Sequence, residues 1–223
     1  MKKGLFITFE GLEGCGKTTQ AKMLHRYLIK QGFPSIFTKE PGGTKIGKKI
    51  RKILLDQKNE GMDYTTEMLL FLASRAENVR EVILPALKDG KIVISDRFYD
   101  STMAYQGYGR GIDLKIIQYF TQLVVGDAIP DITFFLDIQP EEGLKRSAMF
   151  SNSHEIRFEE EFIKKKKIKG RLFLDRVREG YNQLVEKEGE RVIRINANQS
   201  REKVFEDILS IVKGKLDRNK NKS

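Results

Sequence analysis

The run Gly11-Leu12-Glu13-Gly14-Cys15-Gly16-Lys17-Thr18 matches the pattern G-x-x-x-x-G-K-[ST], and it follows the apolar stretch Leu5 to Phe9, which has the character of a buried strand. A strand, a glycine loop and a helix in that order expect a phosphate-binding turn. The glycines let the backbone bend closely enough for its N–H groups to surround phosphate oxygens. Lys17 can reach the β- and γ-phosphates, and the Thr18 hydroxyl can serve Mg²⁺. The helix expected to begin near Lys17 adds its positive dipole end. The expected ligand is a nucleoside triphosphate, its phosphates held by Gly11, Leu12, Glu13, Gly14, Cys15, Gly16, Lys17, Thr18 and Thr19.

Further apolar runs alternate with helical stretches along the chain. Strands are expected at Leu5 to Phe9, Ser35 to Thr38, Lys91 to Ser95, Ile132 to Leu136 and Arg191 to Ile195. Helical periodicity runs through Thr18 to Gln31, Thr44 to Leu55, Tyr64 to Leu87, Leu114 to Val125, Pro140 to Phe150, Leu172 to Lys187 and Arg201 to Val212. Near-continuous apolar strands between amphipathic helices indicate an α/β fold, a doubly wound parallel β-sheet flanked by helices. All 223 residues are expected to form a single domain. Residues 151–171 are polar and charge-dense and are expected to form a mobile lid, and 213–223 a frayed basic tail.

The 41 Lys and Arg exceed the 31 Asp and Glu by ten, which points to a phosphate-bearing partner. Much of that excess sits in Lys164 to Lys169 and in the last residues, and no interleaved aromatic and basic motif accompanies it, so direct nucleic-acid binding is not expected. Cys15 is the only cysteine and reads as a small filler within the loop, which suits a reducing, cytoplasmic setting. No apolar run approaches membrane-spanning length, and a soluble protein is expected. With His25 and His154 as the only histidines, zinc clusters and histidine-based triads lack material. Phosphoryl transfer needs neither, only an in-line acceptor, Mg²⁺ and cations around the transferred group.

The strand ending at Ser95 runs into Asp96-Arg97-Phe98. That places a carboxylate and a guanidinium at the C-terminal edge of the sheet, where open α/β sheets bind ligands. Asp96, with Thr18, can hold Mg²⁺, and Arg97 can chelate a phosphate. Asp137, at the end of Ile132 to Leu136, competes for the metal but leads into an ordinary turn before Pro140.

Glu40-Pro41-Gly42-Gly43, Phe71-Leu72-Ala73-Ser74-Arg75, Asp96-Arg97-Phe98-Tyr99-Asp100-Ser101 and Ala104-Tyr105-Gln106-Gly107, in that order, resemble the bacterial thymidylate kinases. The resemblance runs from the N-terminus to about residue 150 and resumes at Arg176 to Tyr181 and Ile195 to Ser200. It implies transfer of the γ-phosphoryl group of ATP to dTMP with Mg²⁺, giving dTDP and ADP, by a homodimer. It implies a dTMP site of Glu13, Glu40, Pro41, Arg51, Phe71, Arg75, Arg97, Ser101, Tyr105 and Gln106. Phe71 would stack on thymine, and Arg75 and Gln106 would bond the base edge. Arg51 and Arg97 would hold the acceptor phosphate. Glu13 would face the 3′-hydroxyl, and Tyr105 would pack under the 2′ carbon. Taken by their own chemistry, Phe71 on an apolar helix is more often a core residue, and Arg75 is a surface charge at least as often.

The loop residues Leu12 to Cys15 include no arginine, so a transition-state cation beyond Lys17 has to come from elsewhere. The resemblance implies lid arginines that close over the phosphates in such a case, and Ile156-Arg157-Phe158-Glu159 resembles that stretch, which makes Arg157 the implied catalytic partner of Lys17 and Arg97, with Arg146 at the lid's near edge. The insert Ile163 to Gly170 departs from the resemblance. Another nucleotide or nucleoside kinase would share the phosphate loop, as would a nucleotide-dependent switch. Against a GTPase switch, Asn219-Lys220 is not followed by x-Asp.

Overall fold

Three strands are largely apolar and are buried along nearly their whole length: β1 (Phe6–Glu10), β3 (Ile92–Asp96) and β4 (Ile132–Asp137). Such strands need cover on both faces, which a parallel sheet provides. In the computed structural model, which describes residues 4–150 and 167–220, they form the centre of an all-parallel sheet of order β2-β3-β1-β4-β5. The less buried β2 (Ser35–Lys39) and β5 (Val192–Asn196) are its edges. Successive side chains alternate between faces: Phe6 and Val93 enter one apolar cluster with Ile83 and Phe98, while Ile7, Phe9 and Ile94 enter the other with Leu24 and Leu28.

The helices are α1 (Lys17–Lys30), α2 (Lys45–Leu55), α3 (Tyr64–Asn78), α4 (Leu84–Lys88), α5 (Tyr99–Thr102), α6 (Leu114–Val125), α7 (Pro140–Phe150), α8 (Lys167–Lys187) and α9 (Arg201–Lys220). None of the described helices is long and apolar enough to cross a membrane.

Three expectations are corrected. The continuous helix over Tyr64 to Leu87 is interrupted by a wide π-turn at Val79–Ile83. Pro85 lacks an N–H and its ring crowds the preceding turn, so the helix widens there instead of continuing. Within the expected frayed tail, residues 213–220 are helical: α9 runs to Lys220, with Leu216 packed on the core and Lys213 over the Tyr27 ring at 5.8 Å. Helix α8 begins at Lys167, inside the expected lid range.

Because the strands are parallel, β1, β3 and β4 deliver their C-terminal ends to one edge. Register pairs Phe9 with Asp96 and Glu10 with Phe135, so the phosphate loop, Asp96-Arg97 and Asp137 share that edge. Gly14 turns there with φ +71, and a Cβ on it would lie 2.0 Å from the Gly143 carbonyl, so α7 approaches the loop closely only because Gly14 lacks a side chain.

Candidate active site

The phosphate loop encloses Lys17, whose Nζ donates to the Leu12 carbonyl at 2.6 Å and stands 3.8 Å from a Glu13 carboxylate oxygen. Thr18 Oγ1 donates to Asp96 Oδ2 across the strand ends. Cys15 is buried, and burial pushes its thiol up, so it stays a neutral filler. Asp137 is tied instead to Arg178 by two bonds of 2.7 and 3.1 Å.

Arg97 holds a left-handed backbone, φ 71, which for a side-chain-bearing residue costs about 1 kcal/mol or more. Surrounding bonds impose it. Its N–H donates to the Phe9 carbonyl at 3.0 Å, and the next N–H, of Phe98, donates to Glu10 Oε1 at 2.7 Å. The guanidinium is thereby carried back over the loop, donating to the Gly11 carbonyl and Ser101 Oγ at 3.1 Å each and to Glu13, with its centre 5.0 Å from the Tyr105 ring. Burial would raise the Glu13 carboxyl, but Lys17, Arg97 and Arg51 outweigh it and hold it near 2.

Glu10, which ends β1, is fully buried behind Arg97 and accepts from Ser101 Oγ and from Tyr181 OH at 3.0 Å. Burial, with the charge of Asp100 adding, raises its carboxyl to about 7 against the lowering by Ser101, Arg97 and the Phe98 N–H. The unfolded chain releases this proton near 4.5 and the folded chain near 7. Between those values the folded state holds more protons, so stability falls as pH rises. Glu10→Gln cannot titrate and is expected to flatten that fall in urea-unfolding midpoints taken between about pH 5 and about pH 8. An unchanged slope would mean that the group is ionised throughout.

Helix α3 is capped by Asp63, whose Oδ1 accepts from the N–H groups of Thr65 and Thr66 at 2.9 and 3.2 Å. Glu67, Phe71 and Arg75 follow at four-residue spacing and so share one face. Phe71 lines the cleft, half-buried. Arg75 is 1% exposed and donates to Glu40 Oε2 at 2.7 Å, Thr102 Oγ1 at 2.9 Å and the Phe98 carbonyl at 3.0 Å. It is neither a surface charge nor without partners. Glu40 also accepts from Asn78 Nδ2 at 3.0 Å, and Arg51 donates to the carbonyl of Pro41, which follows a cis peptide bond, at 3.1 Å.

Tyr105 and Gln106 are presented by the π-turn Met103–Gly109, where the Arg110 N–H reaches back to the Tyr105 carbonyl and the Ile112 N–H to that of Gln106. Such a widened turn rotates side chains off the regular helical face and is common at functional sites.

These residues line one cleft of about 850 Å³, which takes in Glu13 to Thr19, Glu40, Pro41, Arg51, Phe71, Arg75, Asp96, Arg97, Ser101, Tyr105 and Gln106. Gly11 and Leu12 are not on that lining but support it. Arg157 and most of the expected lid lie outside the described residues. The lining also includes Gln20, Ala197, Gln199, Arg201 and Val204, residues with no expected role, and Arg146, expected at the near edge of the lid. Arg146 reaches the Ala197 carbonyl at 2.9 Å and Asn198 Oδ1 at 3.2 Å, joining α7 to the loop after β5. The motif from Ile195 to Ser200 was the available signal. Glu67 was missed as well, although a carboxylate one turn before Phe71 on an apolar helix face was there to be read.

Compared with known proteins, residues 9–208 match the family model described as thymidylate kinase. The chain is 46% identical over 215 residues to the thymidylate kinase of Halothermothrix orenii, spanning 96% of this chain and 99% of that one. It is 44% identical over 213 residues to that of Clostridium novyi, with 96% and 100% covered. The crystal structure of thymidylate kinase from Ehrlichia chaffeensis superposes with a TM-score of 0.74 at 35% identity, covering 94% of this chain and 98% of that one.

Proposed function

The chain belongs to the thymidylate kinase family, and from that premise we propose how its cleft does the work. The chain transfers the γ-phosphoryl group of ATP to dTMP, giving dTDP and ADP in the synthesis of dTTP. An oxygen of the dTMP phosphate forms the new bond to the γ-phosphorus as the bond from that phosphorus to the ADP oxygen breaks. The observation that carries the assignment of roles is that the phosphate loop, the Asp96-Arg97 strand end and the Phe71 face of α3 open into one cleft.

The ATP phosphates lie along the loop, where Lys17 exchanges the Leu12 carbonyl for phosphate oxygens. Arg97 and Arg51 hold the acceptor phosphate. Arg97 is already carried over the loop by its backbone, so little reorganisation is left to the reaction. Glu13 faces the 3′-hydroxyl, Tyr105 packs against the deoxyribose with Ser101 beside it, and Phe71 stacks on the base while Gln106 and Arg75 meet its edge. The Thr18 hydroxyl and the Asp96 carboxylate, in contact at the cleft, form a hard oxygen pair that suits Mg²⁺. Thr18 and Asp96 would hold that ion, which when bound neutralises charge on the β- and γ-phosphates.

ADP release over dTMP, dUMP, dCMP, dAMP and dGMP tests this reading. dTMP is expected to support the fastest turnover, and a purine monophosphate outpacing it would overturn the base-site roles.

The chain also forms a homodimer in this proposal. Leu69 on α3 and Ile116, Tyr119 and Leu123 on the adjoining α6 are large apolar residues left 45–71% exposed. A patch of this kind on one face calls for cover. Sedimentation velocity is expected to find the parent dimeric and Leu123→Glu shifted to monomer. A monomeric parent at micromolar concentration would end that reading.

A further inference from the structure

Gln106 Nε2 donates to Glu67 Oε1 at 2.8 Å. The same carboxylate takes two bonds from Arg110, Nε to Oε1 at 3.3 Å and NH2 to Oε2 at 3.0 Å. Both side chains are buried, Arg110 at 6% and Glu67 at 5% exposure, and the guanidinium lies over the Tyr64 ring at 4.5 Å and the Phe173 ring at 5.1 Å. A carboxylate paired in this way offers only acceptors. Gln106 can therefore meet it only through its NH2 group, and the carbonyl Oε1 becomes the end of the amide turned away from Glu67.

We propose that Glu67, held by Arg110, is a positioning residue that fixes the Gln106 carboxamide with its oxygen toward the base and so sets which pyrimidine the cleft accepts. This rests on the reading above that Gln106 faces the base edge. Thymine presents N3–H, a donor that an amide oxygen can accept. Cytosine presents a bare ring nitrogen at the same place, and two acceptors facing each other leave both unpaired. An amide free to turn over would offer NH2 to cytosine instead and lose the distinction. Glu67 removes that freedom from the side opposite the substrate, without touching it. Arg110 holds the Glu67 carboxylate in place by bonding both of its oxygens.

The test compares kcat/KM for dTMP and dCMP in the full-length parent, Glu67→Gln, Gln106→Ala and the double variant. Gln at position 67 presents both an oxygen and an NH2 group, so either end of Gln106 can meet it. Both substrates are measured on one preparation, so the folded fraction cancels in the ratio even for a variant that folds poorly. Glu67→Gln is expected to lower the dTMP over dCMP ratio about tenfold, with the KM for ATP near the parent's. In the Gln106→Ala background the same change is expected to add nothing, since Glu67 acts through Gln106. An unchanged ratio in Glu67→Gln, or an equal fall with and without Gln106, overturns the proposal. If Gln106→Ala itself leaves the ratio at the parent's value, the reading of Gln106 as a base contact fails, and the positioning role fails with it.

Discussion

Lys17→Ala is expected to reduce kcat by about 10³ while leaving unfolding free energy within about 1 kcal/mol of the parent. The asymmetry follows from what Lys17 touches. Its Nζ is bonded to the Leu12 carbonyl and lies near Cys15 and Glu13, all within its own loop, so no second element of the fold hangs on it. In the reaction it places a positive charge on the transferring phosphoryl group, in a cleft where few water dipoles can take its place. ADP-release kinetics and urea unfolding on the same preparation measure both sides. Turnover within tenfold of the parent would remove Lys17 from the chemistry, and a large loss of stability would make it structural.

Arg75→Ala carries the second large effect, and here stability leads. Removing the guanidinium leaves Glu40 buried with Asn78 as its remaining side-chain donor and strips donors from Thr102 and the Phe98 carbonyl. Breaking a buried pair in this way costs about 3–5 kcal/mol. Burial already holds the Glu40 carboxyl above its ordinary value despite Arg75, so without its partner the side chain takes up a proton more readily. A group raised in the folded state contributes stability that is present at low pH and lost as pH rises. The deficit of Arg75→Ala is therefore expected to be smaller near pH 5 than near pH 8 in urea unfolding. A deficit that does not change with pH would mean that Glu40 finds another cation. Arg75→Lys is expected to recover only part, because an ammonium cannot span three acceptors in the planar geometry of a guanidinium. The KM for dTMP reports on the base site only once this loss of folded enzyme is corrected for.

Burial of Arg75 changes what its position in the sequence means. On the helix pattern alone it could be a surface charge, and by resemblance a base contact. The fold makes it first the buried strut between α3, the Glu40 loop and the turn after β3. Glu10 shows the same shift. In the sequence it merely interrupts an apolar run, whereas in the fold it anchors the Phe98 N–H, Ser101 and Tyr181 behind Arg97.

What the chain's sequence determined by itself is whatever depends on neighbours along the chain. The strand, glycine loop and helix start of the phosphate site are one contiguous stretch, so their chemistry is set by spacing and backbone freedom. The alternation of apolar runs with helical stretches was equally local. Once it implied a parallel sheet, the sites at Lys17 and Asp96 had to meet at one edge, because parallel strands all point their C-terminal ends the same way. Tertiary structure alone decided the rest. The Glu67, Gln106 and Arg110 contacts, the Glu40–Arg75 pair, the left-handed Arg97 and the extension of α9 to Lys220 all join residues with no sequence relation. Their charge states, orientations and helix ends follow from what is excluded from water around them. That is a property of packing between distant segments, which no local pattern encodes.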